Sequence, residues 1–398
     1  MTIPLYFSNG RHPVDTGNMP LAKIDRDRIR NHHFASLAVA DQVMISEPLV
    51  KPSPLLSRCE ERSMKVLITG GSGLIGRQIV ERLVTRGDQP VILSRRADEI
   101  RRARSMKGIE VIQGDPTVAG AWELGLEGCD AVINLAGHNL FAQRWNAAVK
   151  EKIRDSRVLT TQNLVSAISR CKTPPKTLVQ ASAIGYYGPK TNEELTEDSP
   201  SGTDFMAVVC REWEEATTGL TKLGVRVPIV RTGVVLAKGE GALGAMTPIF
   251  KWLPGGAAPV GSGGKLAPGR GEQWFSWIHI DDIVGIFLTA LDHTSATGPI
   301  NGTSPNPVHF ADFARALACV LHRPYVPFGP PDAVLNLILG DVAQVVATGQ
   351  KVLPKKAVAL GYTFRHTDVL EALRAIFYPS KPAEKPSSKP HAHAAARH

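Results

Sequence analysis

The sequence predicts a doubly wound α/β fold, a parallel sheet covered by helices on both faces. Two observations carry this expectation. Short β-branched runs alternate with amphipathic stretches from residue 65 onward. A glycine-rich turn follows the first run and opens the first helix-like stretch. Lys65–Thr69 (KVLIT) is the first strand, and Leu74–Thr85 places Ile75, Ile79, Val80 and Leu83 on one helical stripe. Residues 90–94, 109–113 and 130–134 are apolar enough to be strands buried on both faces. Residues 144–169 predict a long helix, 176–181 and 225–231 two later strands, and 205–223 a helix between them. From about Gly233 the pattern turns irregular, and residues 254–271 are rich in glycine and proline. Long loops after the last strands of such a sheet commonly shape a substrate site.

The expected organisation has four parts. Residues 1–63 hold eight basic and seven acidic side chains without a sustained period, so they predict a poorly ordered extension. Met64, just before the first strand, is an alternative start. Residues 64–232 form the nucleotide-binding domain. Residues 233–378 form a substrate-side region with late sheet elements and a smaller C-terminal domain at about 325–378. Residues 379–398, with their prolines, lysines and terminal histidines His391, His393 and His398, predict a solvated tail.

Composition narrows the function classes. The 398 residues carry 46 Lys and Arg against 37 Asp and Glu, a net charge of +9. That charge is spread along the chain, and no aromatic–basic platform accompanies it, so no specific nucleic-acid partner is expected. No apolar run is long enough for a membrane span. The N-terminus lacks the pattern of a secretory signal. Five cysteines without C-x-x-C spacing argue against a disulfide framework or a zinc knuckle. The expectation is a cytoplasmic protein acting on a small molecule, with no resident metal. The assembly stays open, a homodimer included.

The strongest motif is Thr69-Gly70-Gly71-Ser72-Gly73-Leu74-Ile75-Gly76. Gly70 permits a tight turn, Gly73 lets backbone approach a pyrophosphate, and Gly76 lets the helix pack close to the strand. The helix start at Leu74 and Ile75 offers N–H groups and a positive dipole end to phosphates. The second strand ends in Ser94-Arg95-Arg96, with no acidic residue to accept a ribose 2′-hydroxyl. A serine and two guanidiniums suit a 2′-phosphate, which predicts NADP(H).

These segments resemble the extended short-chain dehydrogenase/reductases. Gly114-Asp115 after the third strand, Asn134-Leu135-Ala136-Gly137 after the fourth, Ser182-Ala183-Ile184-Gly185-Tyr186-Tyr187-Gly188 and the late segment 274–282 (WFSWIHIDD) carry the likeness. Arg144-Trp145, Lys152, Ser156-Arg157, residues 231–236 (RTGVVL) and residues 349–354 (GQKVLP) match an atypical, epimerase-like branch, the nucleoside-diphosphate-sugar epimerase family proteins with a small C-terminal domain of unknown function. The resemblance covers about residues 64–378 and implies a Rossmann-type sheet. It implies that Asp115 contacts the adenine, that Leu135, Ala136 and Gly137 line the cofactor, and that Ser182 faces the nicotinamide and a substrate oxygen.

The resemblance also exposes a departure. Reductases of this superfamily use Tyr-x-x-x-Lys on a helix, where the lysine lowers the tyrosine pKa. Here Met206 stands at the tyrosine position and Cys210 at the lysine position. A formal Tyr186-x-x-x-Lys190 contains Gly188-Pro189 and should not be helical. Ser182 and Tyr187 are the candidate catalytic residues. For Tyr186 and Tyr187 two roles stay open: an acid beside Ser182, or rings of which one packs on the sheet edge and one lines the pocket. Cys210 is expected to be an inert core thiol, and His279 a structural histidine. Glu193, Glu194, Glu197 and Asp198 are expected on a solvated face. His138 sits closer to the nicotinamide in sequence terms, and Arg231 and Arg144-Trp145 either reach the pocket or make structural contacts. Two functions follow: an NADP(H)-dependent epimerase-like oxidoreductase acting on a small polar, nucleotide-sugar-like substrate, or a non-catalytic NADP(H)-binding regulator, as in relatives that look like cell-division regulators.

Overall fold

The computed structural model describes residues 63–379, except residue 142, residues 253–268 and most of residues 330–347. The N-terminal extension, the tail with its three histidines, and most of the glycine/proline-rich stretch therefore lie outside the described residues. In chain order the elements of the first half are β1 (Lys65–Thr69), α1 (Leu74–Thr85), β2 (Gln89–Ser94), α2 (Ala97–Arg102), β3 (Glu110–Gln113), β4 (Ala131–Asn134), α3 (Ala147–Arg170), β5 (Thr177–Ala183), β6 (Glu194–Leu195) and α4 (Phe205–Glu215). There follow β7 (Pro228–Thr232), β8 (Val234–Ala237), α5 (Gly241–Trp252), β9 (Trp274–Phe275), β10 (Trp277–His279), α6 (Ile280–Asp292), β11 (Gly298–Gly302), β12 (Val308–His309), α7 (Phe310–Val320), β13 (Lys351–Val352), α8 (Lys355–Ala359) and α9 (Val369–Phe377).

Seven strands make one parallel sheet in the spatial order β11-β7-β5-β4-β1-β2-β3. The chain winds outward from β1 in both directions, so the order reverses between β1 and β4. In such sheets ligands bind at the carboxyl ends of the strands, at this reversal. Val66, Leu67 and Ile68 of β1 are fully buried, as a strand covered on both faces requires. On one face Ile79, Val80 and Leu83 of α1 pack with Ile283, Val284 and Phe287 of α6. On the other, Leu164 and Ile168 of α3 pack with Leu67, Val132 and Leu178. A separate core joins Phe313 and Leu317 of α7 to Leu373 and Ile376 of α9 and to Trp277.

Two expectations change. The helix expected over 205–223 ends at Glu215 and resumes as a 3-10 segment at Thr218–Leu223. The Thr217 and Thr218 hydroxyls donate back to the Glu214 and Glu215 carbonyls, and Gly219 follows, a sequence that disfavours continued helix. The described residues after Gly233 form regular elements, although the strands hold only two to five residues, too few to show a period. Its last sheet strand, β11, pairs along the whole of β7. The strands expected over 65–69, 90–94, 109–113, 130–134, 176–181 and 225–231 all form, with their ends shifted by three residues at most.

One buried carboxylate fastens the C-terminal segment to the sheet domain. Asp282, fully buried in the first turn of α6, accepts from the Tyr362 hydroxyl at 2.9 Å and from the backbone N–H groups of Arg365 and His366. Gly285, one turn on, leaves the space that the Tyr362 ring fills. His279 caps the same helix: its Nδ1 accepts the Asp281 N–H at 3.0 Å, and its ring stacks on His366. Burial and the adjacent His366 ring hold the His279 pKa below its ordinary value.

Two measurements follow. Asp282→Ala strands three donors in a buried site, each worth about 1–3 kcal/mol when unsatisfied. We expect a fall in unfolding free energy of at least about 2 kcal/mol in urea. His279 stays neutral in the folded protein down to about pH 4, while the unfolded chain takes up a proton below pH 6.5. Stability therefore falls as pH drops from about 6.5, by up to about 1.4 kcal/mol per pH unit from this group. His279→Asn keeps a capping oxygen and should flatten that slope.

Candidate active site

The carboxyl ends of β1, β2, β4, β5 and β7 bring the motif residues to one edge. Gly70 has φ +68°, and a Cβ there would lie 2.8 Å from the Leu135 carbonyl oxygen. A Cβ on Gly76 would run into the Gly70 carbonyl and lie 2.7 Å from Gly71 Cα. Both positions therefore require glycine. Gly73 N donates to Gly70 O at 2.9 Å and caps α1, whose first turn begins at Leu74 and Ile75. The N–H groups of that turn face the β1–β4 reversal, where an anion is favoured.

The end of β2 is held as a turn. Ser94 Oγ accepts from Arg96 N, while the Gln113 side chain accepts from Ala97 N and donates to Arg95 O. Arg95 and Arg96 project into solvent, their side chains 71% and 72% exposed. Arg95 lies 4.0 Å from Asp115, whose other oxygen accepts from Thr117. Leu135 N and Ala136 N both donate to Thr69 Oγ1 at 3.2 Å, which ties the β4 loop to the β1 turn. Gly137 is exposed, and the Arg157 guanidinium lies on it, 3.0 Å from where a Cβ would stand.

Ser182 and Tyr187 share a buried network at the ends of β5 and β7. The Ser182 hydroxyl donates to Glu214 Oε1 at 2.6 Å. Arg231 grips the same carboxylate with Nε and Nη2 at 2.9 and 2.8 Å. Its Nη1 donates to the Tyr187 hydroxyl, which donates to Asn301 Oδ1 at 2.7 Å. The expectation that Tyr187 acts as an acid beside Ser182 meets a different arrangement. The ring is fully buried, its hydroxyl is bonded on both sides, and burial pushes its pKa up to about 12. Tyr186 is the half-buried ring of the pair, stacked 3.5 Å from the Arg231 guanidinium. Lys190 does not join it: its N–H donates to Gly349 O, and its ammonium pairs with Glu193.

The helix that should carry the dyad shows what replaces it. Met206 and Cys210 both face inward, and burial pushes the Cys210 thiol to about 12, which makes it inert. Glu214 continues their stripe one turn later. Arg231 makes an ion pair, whereas Arg144 is exposed and Trp145 packs edge-on against Phe205. Glu197 departs from the expected solvated face: it is buried, accepting the Asn301 and Lys356 N–H groups. The GQKVLP segment threads beside this network. Asn301 Nδ2 donates to Leu353 O, Ser276 Oγ accepts Val352 N, and Gln350 donates to Gly188 O.

Two site residues escaped the sequence reading as functional groups. Glu214 is a charge four residues beyond Cys210 on an otherwise apolar inner stripe. Arg157 stands between Ile153 and Thr161, both buried, on the inner stripe of α3. A charge at a position whose period points inward was the available signal. Arg157 donates to the Ile153 and His138 carbonyls and lies over the Trp213 ring. Among the described residues it has no carboxylate partner, and burial lowers its pKa.

Residues 66–301 match the model of the NAD dependent epimerase/dehydratase family. The chain belongs to that family. Residues 330–376 of this family member match a further model, a domain of unknown function, DUF1731. It is 39% identical over 353 residues to the epimerase family protein SDR39U1 homolog, chloroplastic, of Arabidopsis thaliana, covering 86% of this chain and 96% of that one. It is 36% identical to the human epimerase family protein SDR39U1, covering 79% and 99%. A crystal structure of the human protein with NADPH superimposes with a TM-score of 0.67 at 34% identity, over 79% of this chain and 99% of that one. The Thermus thermophilus UDP-glucose 4-epimerase, at 21% identity and a TM-score of 0.62, shares the fold. Among the described residues no helix is long and apolar enough to cross a membrane.

The Arg231–Glu214 pair gives a sharp test. Glu214→Ala would leave a buried guanidinium uncompensated, at a cost of about 3–5 kcal/mol. Glu214→Gln should recover part of that loss in a urea denaturation series, because its amide oxygen restores one of the two acceptor atoms without the charge.

Proposed function

We propose that this chain is an NADP(H)-dependent oxidoreductase of the epimerase type, acting on a hydroxyl or carbonyl of a small polar substrate such as a nucleotide-linked sugar. The observation that carries the reading is the strand-end pair Arg95–Arg96, its backbone fixed by Ser94 and Gln113, beside a glycine turn with no room for a Cβ at Gly70 or Gly76. Residues 94–96 carry no carboxylate of their own, and Arg95 and Arg96, although 4.0 Å from Asp115 and 3.3 Å from Glu99, stay largely exposed, which favours a 2′-phosphate over a 2′-hydroxyl. The human relative crystallised with NADPH supports the same choice.

The assigned roles are these. Gly70, Gly73 and Gly76, with the Leu74 and Ile75 N–H groups, hold the pyrophosphate. Ser94, Arg95 and Arg96 select the 2′-phosphate. Asp115 takes the adenine, and Leu135, Ala136 and Gly137 line the ribose side, where Arg157 adds a charge. When bound, the cofactor would accept a hydride from a substrate carbinol carbon in its oxidised form, or donate one to a carbonyl carbon in its reduced form. Ser182 orients the substrate oxygen; in oxidation it relays the hydroxyl proton to Glu214, its hydrogen-bonded neighbour at 2.6 Å, and in reduction the same relay runs in reverse and protonates the oxygen. This gives the site a proton path without Tyr-x-x-x-Lys. Tyr187 braces Arg231 from behind.

A second reading, a non-catalytic NADP(H)-binding regulator, draws on Met206 and Cys210 at the dyad positions. Hydride transfer to any carbonyl substrate, lost in Ser182→Ala, would set it aside.

Titration with NADPH and NADH, followed by nicotinamide fluorescence, tests the cofactor assignment. We expect tighter binding of NADPH, by at least about tenfold, and loss of that preference in Arg95→Glu/Arg96→Glu. Equal affinities in the parent protein would overturn the selection role of the two arginines.

A further inference from the structure

His138 follows Gly137 in the loop after β4, and its surroundings are unusual for a histidine. Its backbone is clamped to α3: His138 N donates to Ser156 Oγ at 2.9 Å, and His138 O accepts from Arg157 at 3.2 Å. Its ring Nε2 is shielded from solvent and has no hydrogen-bond partner. A shielded ring nitrogen without a partner costs free energy unless something supplies one. Among the described residues the charged groups that act on the ring are all cations. Arg157 and Lys152 approach from α3, and Arg95 from the loop after β2. Burial and these three charges hold the imidazole below its ordinary pKa, and therefore neutral.

The neighbourhood is also where a diphosphate would arrive. Gly70 packs on the Leu135–Ala136 backbone, which places the first turn of α1 beside the start of this loop. Arg157, which lacks a carboxylate partner among the described residues, lies on Gly137, the residue before His138. An entering diphosphate would cancel the cationic field that keeps the ring neutral, and it would offer an oxygen to Nε2.

We propose that His138 is a ligand of the dinucleotide's phosphates and binds them as an imidazolium, so that each cofactor bound takes up a proton from solvent at this ring. The proton comes from the buffer, and Nε2–H donates to a phosphate oxygen; no other bond is made or broken. The proposal rests on the cofactor reading above and deepens it. A phosphate ligand that must be protonated makes cofactor affinity pH-dependent. Affinity is highest below the pKa of the free ring and falls, by up to tenfold per pH unit, as pH rises from there toward the pKa of the bound ring.

Isothermal titration of NADPH into the full chain at pH 7, in buffers of different ionisation enthalpy, reads the proton directly. The 2′-phosphate has a pKa near about 6 and would release a proton among arginines, the opposite sign. The comparison that isolates the ring is therefore wild type against His138→Asn and His138→Gln, two variants that keep a polar side chain without titrating. We expect the wild type to take up more protons than either variant, by up to one per cofactor. We expect the affinity lost in the variants to be greater at pH 6 than at pH 8. Binding with the same proton exchange in all three proteins would overturn the proposal and leave the cofactor reading intact. Failure of the wild type to bind NADPH or NADP+ at any pH would overturn both.

Discussion

The edge of the sheet depends on one buried amide. Asn134, at the end of β4, accepts the Thr69 hydroxyl at 2.5 Å and donates to Thr161 and Gln180 at 3.0 Å. Those partners stand on β1, α3 and β5, and Trp213 of α4 donates to the same Thr161 hydroxyl. Five elements thus meet through a network whose members are all deeply buried. In a low-dielectric interior such a network is costly unless it is satisfied, so it fixes one arrangement of strand ends. Because Thr69 also holds Leu135 and Ala136, the same network sets the spacing between the glycine turn and the loop that carries Gly137 and His138.

A second network lies beside the first and is ionic. Ser182, Glu214, Arg231, Tyr187 and Asn301 form a chain from β5 through α4 and β7 to β11. Its charges are excluded from water, with only 4% of the Arg231 side chain and 10% of the Glu214 side chain exposed. A buried pair of this kind contributes little net stability over apolar residues, but it tolerates the loss of neither partner. Its value here is placement: it holds the Ser182 hydroxyl against a carboxylate at the end of β5.

Much of the fold was legible because its strands are short apolar runs, its first helix carries a clear period and the Gly70–Gly76 spacing has a mechanical meaning. The strand ends and the roles of Gly70 and Gly76 as positions without room for a side chain were readable in the same way. The second half was less legible. The strands between residues 234 and 309 are too short to show alternation, and their partners are distant in sequence. Glu214 and Arg157 were hidden for another reason. Their function comes from facing inward on helices whose neighbours are apolar, and only the packing shows what each charge meets. For Tyr187 the sequence left two roles open, an acid or a packed ring, because nothing in it shows that the hydroxyl is bonded to Arg231 and Asn301.

The GQKVLP segment bears on how the C-terminal region and the sheet depend on each other. Leu353 and Val352 carbonyls accept from Asn301 and Thr303, and Gly349 lies so close to Trp274 that no side chain would fit. Asn301 is also the partner of Tyr187, which braces Arg231. A chain that ended before this segment would keep every strand of the sheet yet leave the far end of the ionic relay open to water. Truncation at that point would also strip Asp282 of its three donors and α7 of its partner helix α9, so the alignment of Ser182 and the packing of the C-terminal region would be lost together.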